Sequence, residues 1–127
     1  KNLLFSILLR PQFKAPRALW LTQLACRSVA KILAKKFSLQ PRFKRPNDIL
    51  VNGKKICGVL VEAQGRPNGD LESVVIGIGL NVNAAPRQQV PGATSLVEVT
   101  GRKQSRAGLL KDLLKQIRKD LIHADLY

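Results

Sequence analysis

The fold is decided by a stretch at residues 48–62 that reads Asp48-Ile49-Leu50-Val51-Asn52-Gly53-Lys54-Lys55-Ile56-Cys57-Gly58-Val59-Leu60-Val61-Glu62. The pair Asn52-Gly53 is a strong signal for a two-residue hairpin turn, because both central positions of such a turn need a positive φ. Apolar, largely β-branched residues flank the pair on both sides, as strands require. The stretch therefore predicts two antiparallel strands, at 48–51 and 54–62.

Further strands are predicted on both sides of this hairpin. Residues 42–45 form a short strand that Pro46 must end, because proline has no N–H to donate to a sheet. Residues 66–70 make a second turn, and Leu71 to Val82 return as a strand with the continuous apolar character of a central one. Two successive hairpins indicate antiparallel or mixed pairing rather than a doubly wound parallel sheet.

Two segments have apolar residues at helical spacing instead, at 17–36 and at 106–123, and Ser105 is a suitable N-cap for the second. The rest of the chain is assigned to a first strand from Leu3 to Leu9, a loop between Pro11 and Pro16, and an irregular stretch at 84–104. The order of elements predicts an α+β fold, in which two main helices pack on a mixed, largely antiparallel sheet.

The charge of the chain is strongly positive and uneven. The 127 residues carry 22 Lys and Arg against eight Asp and Glu, a net charge of +14, and most of the excess lies in residues 1–55. An anionic partner is therefore expected at that half. Arg27, Lys31 and Lys35 follow one another at four-residue intervals on a predicted helix, either as a solvated face or as an anion-facing surface. With 45% hydrophobic residues, the composition excludes a disordered chain.

The cysteines, the single histidine and the length of the apolar runs bear on whether the chain is a disulfide-bonded, metal-binding or membrane-spanning protein. Cys26 and Cys57 each lie within an apolar segment and are interpreted as reduced core thiols of a cytoplasmic protein, although a disulfide stays open. There is one histidine and no metal-ligand spacing, so no metal site is predicted. The apolar run from Leu3 to Leu9 is much shorter than the roughly 20 residues of a membrane span.

Two clusters of residues are candidates for a ligand-binding or catalytic site. In the first, Lys44 stands at a strand end and is followed by Pro46, Asn47 and Asp48, which places a cation and polar groups where the sheet opens to a loop. The second reads Gly77-Ile78-Gly79-Leu80-Asn81. Glycines inside an apolar strand mark a bulge or the close approach of a ligand. This is no dinucleotide fingerprint, because the third glycine and the following helix are missing.

These clusters belong to a longer pattern that resembles the catalytic domain of biotin protein ligases. Four blocks follow one another in the order and approximate spacing of that family, and together they are specific. They are Lys44-Arg45-Pro46-Asn47-Asp48, Lys55-Ile56-Cys57-Gly58-Val59-Leu60-Val61-Glu62, Val75-Ile76-Gly77-Ile78-Gly79-Leu80-Asn81-Val82-Asn83 and Ala93-Thr94-Ser95-Leu96. The opening residues 2–11 resemble the strand that follows the nucleotide loop in the family.

The resemblance implies an ATP-dependent acyl transfer in two steps. The carboxylate of biotin attacks the α-phosphate of ATP to form biotinyl-5′-AMP, and a lysine of a carboxylase's carrier domain then takes the biotinyl group. Because two anions must meet in the first step, fixed cations in the site favour it. Biotin and ATP are the implied substrates, with Mg²⁺ accompanying ATP, and a homodimer is a further implied arrangement.

The resemblance also assigns site residues. Lys44 matches the lysine that contacts the biotinyl carbonyl and phosphate region, and Asp48 matches a positioning residue behind it. The implied biotin-binding residues are Lys44, Gly65, Gly77 and Gly79, and the implied ATP-binding residues are Asn47 and Asn81.

The chain departs from the family pattern in several places. Arg45 stands where the family motif usually has Trp. The upstream biotin motif, the Gly/Arg-rich loop that closes over the adenylate, and the small C-terminal β-barrel are not among the 127 residues. The chain also begins with Lys1 and enters a strand almost at once. We therefore expect a fragment, a partial catalytic domain at 1–127, which is inactive or nearly inactive alone.

Two other functions stay open. The charge of +14 favours a basic nucleic-acid-binding domain, but only six aromatic residues are present and no nucleic-acid-binding signature is found. Loose, salt-sensitive association with any polyanion fits the charge better. A lipoate-type acyl transferase would share the fold and the lysine, although the Lys-x-Pro-Asn-Asp and Gly-x-Gly-x-Asn blocks favour biotin.

Overall fold

One five-stranded sheet dominates the computed structural model, which describes residues 1–11 and 15–126. The strands are β1 (Leu3–Leu9), β2 (Arg42–Lys44), β3 (Asp48–Val51), β4 (Lys54–Gly65) and β5 (Leu71–Leu80). They lie in the order β1-β5-β4-β3-β2, and all neighbours are antiparallel. The predicted hairpins are confirmed. Within the described ranges, the single isolated bridge joins Lys55 and Ala93, and it is parallel.

In the described part of the chain, three α-helices accompany the sheet: α1 (Leu19–Phe37), α2 (Leu96–Thr100) and α3 (Arg106–His123). The predicted cap of α3 is confirmed, since the backbone N–H of Gly108 donates to Ser105 Oγ at 3.2 Å. The assignment of 84–104 as irregular is wrong at α2. Five residues are too few to show a helical period, and the Ser95 side chain caps this helix by accepting from the Glu98 N–H at 3.4 Å.

The N-terminal edge of α1 also differs from the prediction. Residues 15–18 form a 3-10 turn before α1 begins at Leu19, whereas the sequence pattern starts the helix at 17. Residues 12–14 of the predicted loop between Pro11 and Pro16 lie outside the described part of the chain.

The sheet has one face toward the helices and one face away from them. Along β5, Val74, Ile76, Ile78 and Leu80 are fully buried in one core with apolar residues of α1 and α3. The alternate residues of the strand, which include the glycines at 77 and 79, point to the opposite side because side chains alternate along a strand. That opposite side is called the outer face below.

A register shift in the central hairpin sets which residues reach the outer face. Asn52 and Gly53 have φ values of 53° and 75°, as the predicted turn requires. Beyond the turn, Leu50 pairs with Lys55, but Ile49 then pairs with Cys57, so Ile56 has no partner in β3. This bulge turns Cys57 toward the core and brings the next residue, a glycine, onto the outer face.

The two cysteines are free and buried, which confirms the interpretation as reduced core thiols. Burial is the main cause that raises the pKa of Cys26 to about 11, and burial also raises the pKa of Cys57 far above its usual range. Both thiols therefore stay protonated at neutral pH, and neither is a nucleophile. Among the described helices, none is both long and apolar enough to cross a membrane.

Candidate functional site

A single row of residues crosses the outer face from one edge of the sheet to the other. Leu4 of β1 pairs with Gly79, Gly79 pairs with Gly58, Gly58 pairs with Asp48, and Asp48 pairs with Lys44 of β2. Partners in adjacent strands share one face of the sheet, so these five residues are neighbours. Two residues that are remote in sequence, Lys44 and Gly79, thus lie in one row across the sheet.

The middle of this row has no side chains. Gly58, Gly77 and Gly79 lie together on the outer face, since Gly77 is two residues along β5 and pairs with Leu60 of β4. Leu4 and Leu60, which are 85% and 58% exposed, flank them. Three steps between strands separate Leu4 from Asp48, about 14 Å at the usual strand spacing. We call this glycine floor, with the exposed Leu4 and Leu60 as its two walls, the glycine trough.

A lysine that the resemblance did not single out lies at one end of the glycine trough. Lys55 Nζ is 3.1 Å from Asp48 Oδ1, and about a third of the lysine side chain is exposed. The same ammonium group lies over the glycine floor, since a Cβ built on Gly58 would be 3.2 Å from Lys55 Nζ. Lys55 is therefore the cation that the structure brings directly to the trough.

Backbone hydrogen bonds to Gly92 and Thr94 hold Lys55 on the side of β4 away from β3. Its N–H donates to the Gly92 carbonyl at 3.2 Å, and its carbonyl accepts from the Thr94 N–H at 2.8 Å. The side chain of Asn81 donates to the Thr94 carbonyl at 3.0 Å, and the Asn81 carbonyl accepts from the Leu96 N–H. The block at 93–96 of the sequence pattern thus holds the start of the block at 55–62 in place.

Lys44 and Asn47 lie at the rim of the site. Lys44 is the last residue of β2, at the edge of the sheet, and its side chain is exposed. Its register partner Asp48 directs its carboxylate to Lys55 instead. Asn47 is half-buried in the following turn, where its carbonyl accepts from the Val59 N–H at 3.0 Å. Lys55 pairs with the Asp48 carboxylate and Lys44 is its neighbour across β2 and β3, so this end of the trough carries an excess of positive charge.

Gly65 stands apart from the other site residues that the sequence predicts. It ends β4, seven residues beyond Gly58, which is about 24 Å along an extended strand. It is exposed there, and the nearest atom to a Cβ built on it is the Asp70 carbonyl oxygen at 3.8 Å. The structure therefore brings Lys44, Asn47, Gly77, Gly79 and Asn81 to one end of the sheet and leaves Gly65 at the other.

The role of Lys55 was missed because of the bulge. Strict alternation along β4 would place Lys55 on the same side as Cys57, toward the core. The unpaired Ile56 breaks this alternation, and the Lys55 side chain reaches Asp48 on the outer face. The one signal in the sequence is the pair Lys54-Lys55 directly after the turn, which could have marked a cation near the strand end.

The site suits a ligand with an apolar body and an anionic end. Leucine walls and a glycine floor admit a flat apolar group, while the lysines at one end favour a carboxylate or a phosphate. In the described parts of the chain, no three His, Cys, Asp or Glu residues cluster as metal ligands would. The Asp48 carboxylate is paired with Lys55.

Comparison with known proteins identifies the family. Residues 1–81 match the model of the biotin/lipoate A/B protein ligase family. The chain belongs to this family, as the sequence resemblance predicted. Its antiparallel sheet with helices on one face also matches solved biotin protein ligases, which confirms the predicted α+β fold.

Individual relatives are ligases by name. The bifunctional ligase/repressor BirA of Bacillus subtilis is 39% identical over 113 residues, which cover 86% of this chain and 34% of that protein. The biotin–[acetyl-CoA-carboxylase] ligase of Paracoccus denitrificans is 36% identical over 104 residues, 79% of this chain and 43% of that protein. The chain thus spans less than half the length of these curated relatives.

Solved structures agree with these relatives. The apo biotin protein ligase of Aquifex aeolicus superimposes with a TM-score of 0.81 at 32% identity, over 96% of this chain and 53% of that chain. The complex of the Aquifex aeolicus enzyme with biotin and ATP gives a TM-score of 0.76 at 31% identity, over 94% of this chain and 50% of that chain.

Proposed function

We propose that the chain supplies one wall of the active site of an ATP-dependent biotin–protein ligase. The observation that carries this proposal is the glycine trough with Lys55 and Asp48 at its end. The fused rings of biotin fit an apolar, side-chain-free floor, and its carboxylate fits the ammonium end. The known binding of biotin and ATP by the similar Aquifex aeolicus enzyme supports this assignment.

In this proposal, the first step joins a carboxylate to a phosphate. An oxygen of the biotin carboxylate attacks the α-phosphorus of ATP, and the bond to the departing pyrophosphate breaks, which leaves biotinyl-5′-AMP. Lys55 reduces the repulsion between the two anions at the end of the trough, while Lys44 at the rim meets charge that develops on the phosphoryl oxygens. Asn47, next to Lys44, and Asn81 are proposed to contact the nucleotide.

The second step transfers the acyl group. The amine of a lysine in a carboxylase's carrier domain attacks the biotinyl carbonyl carbon, the bond to AMP breaks, and an amide forms. The open outer face permits this approach, since the exposed Leu4 and Leu60 border the trough. Mg²⁺ is proposed to arrive bound to the phosphates of ATP, since such sites usually combine substrate phosphates with few protein ligands.

Gly77 and Gly79 are proposed to lie directly beneath biotin, where any side chain would occupy the trough. Gly65 stays a proposed biotin contact on the strength of the family resemblance alone. Pairing of two copies along the free edge of β1, and a cytoplasmic location that suits free buried cysteines, belong to the same proposal.

The 127 residues by themselves are proposed to turn over slowly. In the described ranges the trough is covered by no loop, and the leucine walls are exposed. Removal of one group that stabilises a developing charge costs about 10²–10³ in rate. A site that remains open to water and lacks a Gly/Arg-rich loop should lose at least as much.

Calorimetry with biotin and with a non-hydrolysable analogue of biotinyl-5′-AMP tests the proposal. We expect saturable binding of both, and tighter binding of the analogue because it engages both lysines. The corresponding lipoyl analogue should bind more weakly, and equal binding would favour the lipoate alternative. Absence of any binding would overturn the assignment of the trough.

Turnover is tested separately by incubation with ATP, radiolabelled biotin and a carrier domain. We expect at most a trace of labelled carrier from the 127-residue chain. Rapid labelling would contradict the proposed slow turnover, yet it would support the ligase assignment itself.

A further inference from the structure

The helices form a second concave surface on the side of the fold away from the glycine trough. Three neighbouring concavities run along the contact between α1 and α3. The first two share Lys31, Asp120 and His123, and the second shares Lys35 and Lys119 with the third. They make one continuous depression, here called the helix groove. Its concavity nearest to Trp20 encloses about 390 Å³, within the usual range of ligand sites.

The helix groove is rich in cations. Two acidic side chains, Asp112 and Asp120, lie in it, and both are already occupied. Lys36 Nζ is 2.6 Å from Asp112 Oδ2, and Lys31 Nζ is 2.9 Å from Asp120 Oδ1. The cationic side chains that line it along the two helices are Arg27, Lys31, Lys35, Lys36, Lys115 and Lys119.

The two carboxylates stay ionised at neutral pH, so each contributes a full negative charge to the groove. Partial burial would raise the pKa of Asp120, but hydrogen bonds from Ser28, Lys31 and Gln116 together hold that pKa below its usual value. The hydrogen bond from Lys36 likewise lowers the pKa of Asp112. Each acid therefore neutralises one lysine, and the remaining cations are in excess.

Four cations of the groove, Arg27, Lys35, Lys115 and Lys119, are exposed. No hydrogen bond or salt bridge joins them to the residues at 1–11 or 15–126. Arg27 and Lys35 are eight residues apart on α1, about 12 Å along the helix. Such a spaced series of free cations follows an extended polyanion better than a single small anion.

An aromatic side chain stands at one end of this series. Trp20, the single tryptophan of the chain, is 61% exposed and lines the groove beside Arg17 and Arg27. The Arg17 guanidinium donates to the Ala124 carbonyl at 3.1 Å, which ties the start of α1 to the end of α3. An exposed indole beside cations is the arrangement on which an unpaired nucleobase stacks.

We propose that the helix groove binds single-stranded nucleic acid, with phosphates on Arg27, Lys35 and Lys119 and a base stacked on Trp20. An acidic polypeptide would satisfy the cations but would leave the indole without a partner. Duplex bases are already stacked on each other and cannot reach it. This inference concerns the face of the molecule opposite the glycine trough, and it holds or fails independently of biotin ligation.

The tryptophan itself reports on binding. We expect oligothymidylate to quench the fluorescence of Trp20 saturably in the 127-residue chain, at low salt, and saturating biotin should not alter the binding. The logarithm of the affinity should fall linearly with the logarithm of the salt concentration, with a slope of about −2 for three phosphate contacts. A duplex of equal length, or polyglutamate, should bind more weakly and leave the fluorescence unchanged.

Variants separate stacking from charge, with a fluorescein-labelled oligothymidylate and anisotropy as the readout. Trp20→Ala should weaken binding about tenfold with the salt slope kept, and Trp20→Phe should retain most of the affinity. Lys35→Gln should make the salt slope less steep by about 0.7. Lys103 is a matched exposed lysine outside the groove, and Lys103→Gln should leave the slope unchanged. All three positions are exposed, and circular dichroism checks that each of the four variants folds.

Three results would overturn the proposal. The first is the absence of fluorescence quenching. The second is equal loss of affinity in Lys35→Gln and Lys103→Gln, which would indicate attraction by net charge alone. The third is tighter binding of polyglutamate or of duplex, which would assign the groove to an acidic protein or to double-stranded nucleic acid.

Discussion

The ammonium group of Lys55 lies 3.1 Å from the carboxylate of Asp48 and 3.2 Å from the position that a Cβ of Gly58 would occupy. Neither residue could reach the other without the bulge at Ile56, which lets the Lys55 side chain reach the outer face of the sheet. Asp48 thereby holds the lysine over the glycine trough while leaving about a third of it exposed. A carboxylate ligand that enters the trough meets this cation first.

Substitution of the two lysines should separate their roles. Lys55→Gln should weaken biotin and the biotinyl-5′-AMP analogue alike, about ten- to a hundredfold, because an ionic hydrogen bond is lost. Lys44→Gln should weaken the analogue and leave biotin binding unchanged, since Lys44 stands at the rim. Calorimetry measures both ligands, and Lys103→Gln is the control. Loss of biotin affinity in Lys44→Gln alone would make Lys44, rather than Lys55, the carboxylate partner.

Side chains on the floor of the trough should block the ligand without unfolding the protein. A Cβ on Gly79 would be 3.4 Å from Leu4 Cδ1, the end of an exposed and movable side chain. Gly79→Val should therefore keep the melting temperature within a few degrees and abolish biotin binding. Gly65→Val tests the proposed contact at the other end of β4 separately, and we expect it to weaken biotin binding less than Gly79→Val does. Unchanged binding in Gly65→Val would remove Gly65 from the proposed biotin contacts.

Asn81 should matter for stability as well as for nucleotide binding. Asn81→Ala leaves the buried Thr94 carbonyl without its donor, which should lower the free energy of unfolding by about 1–3 kcal/mol in urea. Because Thr94 also pairs with the backbone of Lys55, we expect biotin affinity to fall too. Unchanged stability with weaker binding of an ATP analogue would mean that Asn81 acts on the nucleotide alone.

The contact between α1 and α3 should weaken in acid. Hydrogen bonds from Ser28, Lys31 and Gln116 outweigh the effect of burial and keep the pKa of Asp120 below its unfolded value of about 3.9. The stabilisation is therefore complete above about pH 4 and is lost as the pH falls through the lower, folded pKa. Asp120→Asn should be less stable at neutral pH and should show a flatter decline below pH 4. Urea titrations across this pH range measure both effects. If the free energy of unfolding fell with pH in the same way in Asp120→Asn and in the unsubstituted protein, Asp120 would not be the group responsible.

Arg45 offers a test of the departure from the family motif. A cavity beside β2 is lined by Arg45 and Phe43 together with Cys26 and Ile49. Arg45→Trp should fill part of it with an indole and raise the free energy of unfolding by about 1 kcal/mol. Thermal unfolding measures the change, with Arg42→Trp in β2 as the control. A lower melting temperature in Arg45→Trp would show that the cavity does not admit the ring.

Much of the fold could be predicted because local signals agreed with the tertiary structure. Asn52-Gly53 adopts the expected positive φ values, Ser105 caps α3, and the apolar run that begins at Leu71 forms strand β5. The helix at 96–100 could not be predicted, since five residues show no period. Lys55 was missed because a bulge depends on how two strands meet and leaves no mark on the pattern of one strand.

The sequence by itself determined the antiparallel hairpins, the two long helices and the family, because turn chemistry and apolar periodicity act over neighbouring residues. Only the tertiary structure decided which residues share a surface. Register across five strands put Leu4, Gly79, Gly58, Asp48 and Lys44 in one row, although 75 positions separate the first two in the numbering. Packing of α1 against α3 likewise aligned cations from both helices beside Trp20, since interhelical contact is not encoded in either helix alone.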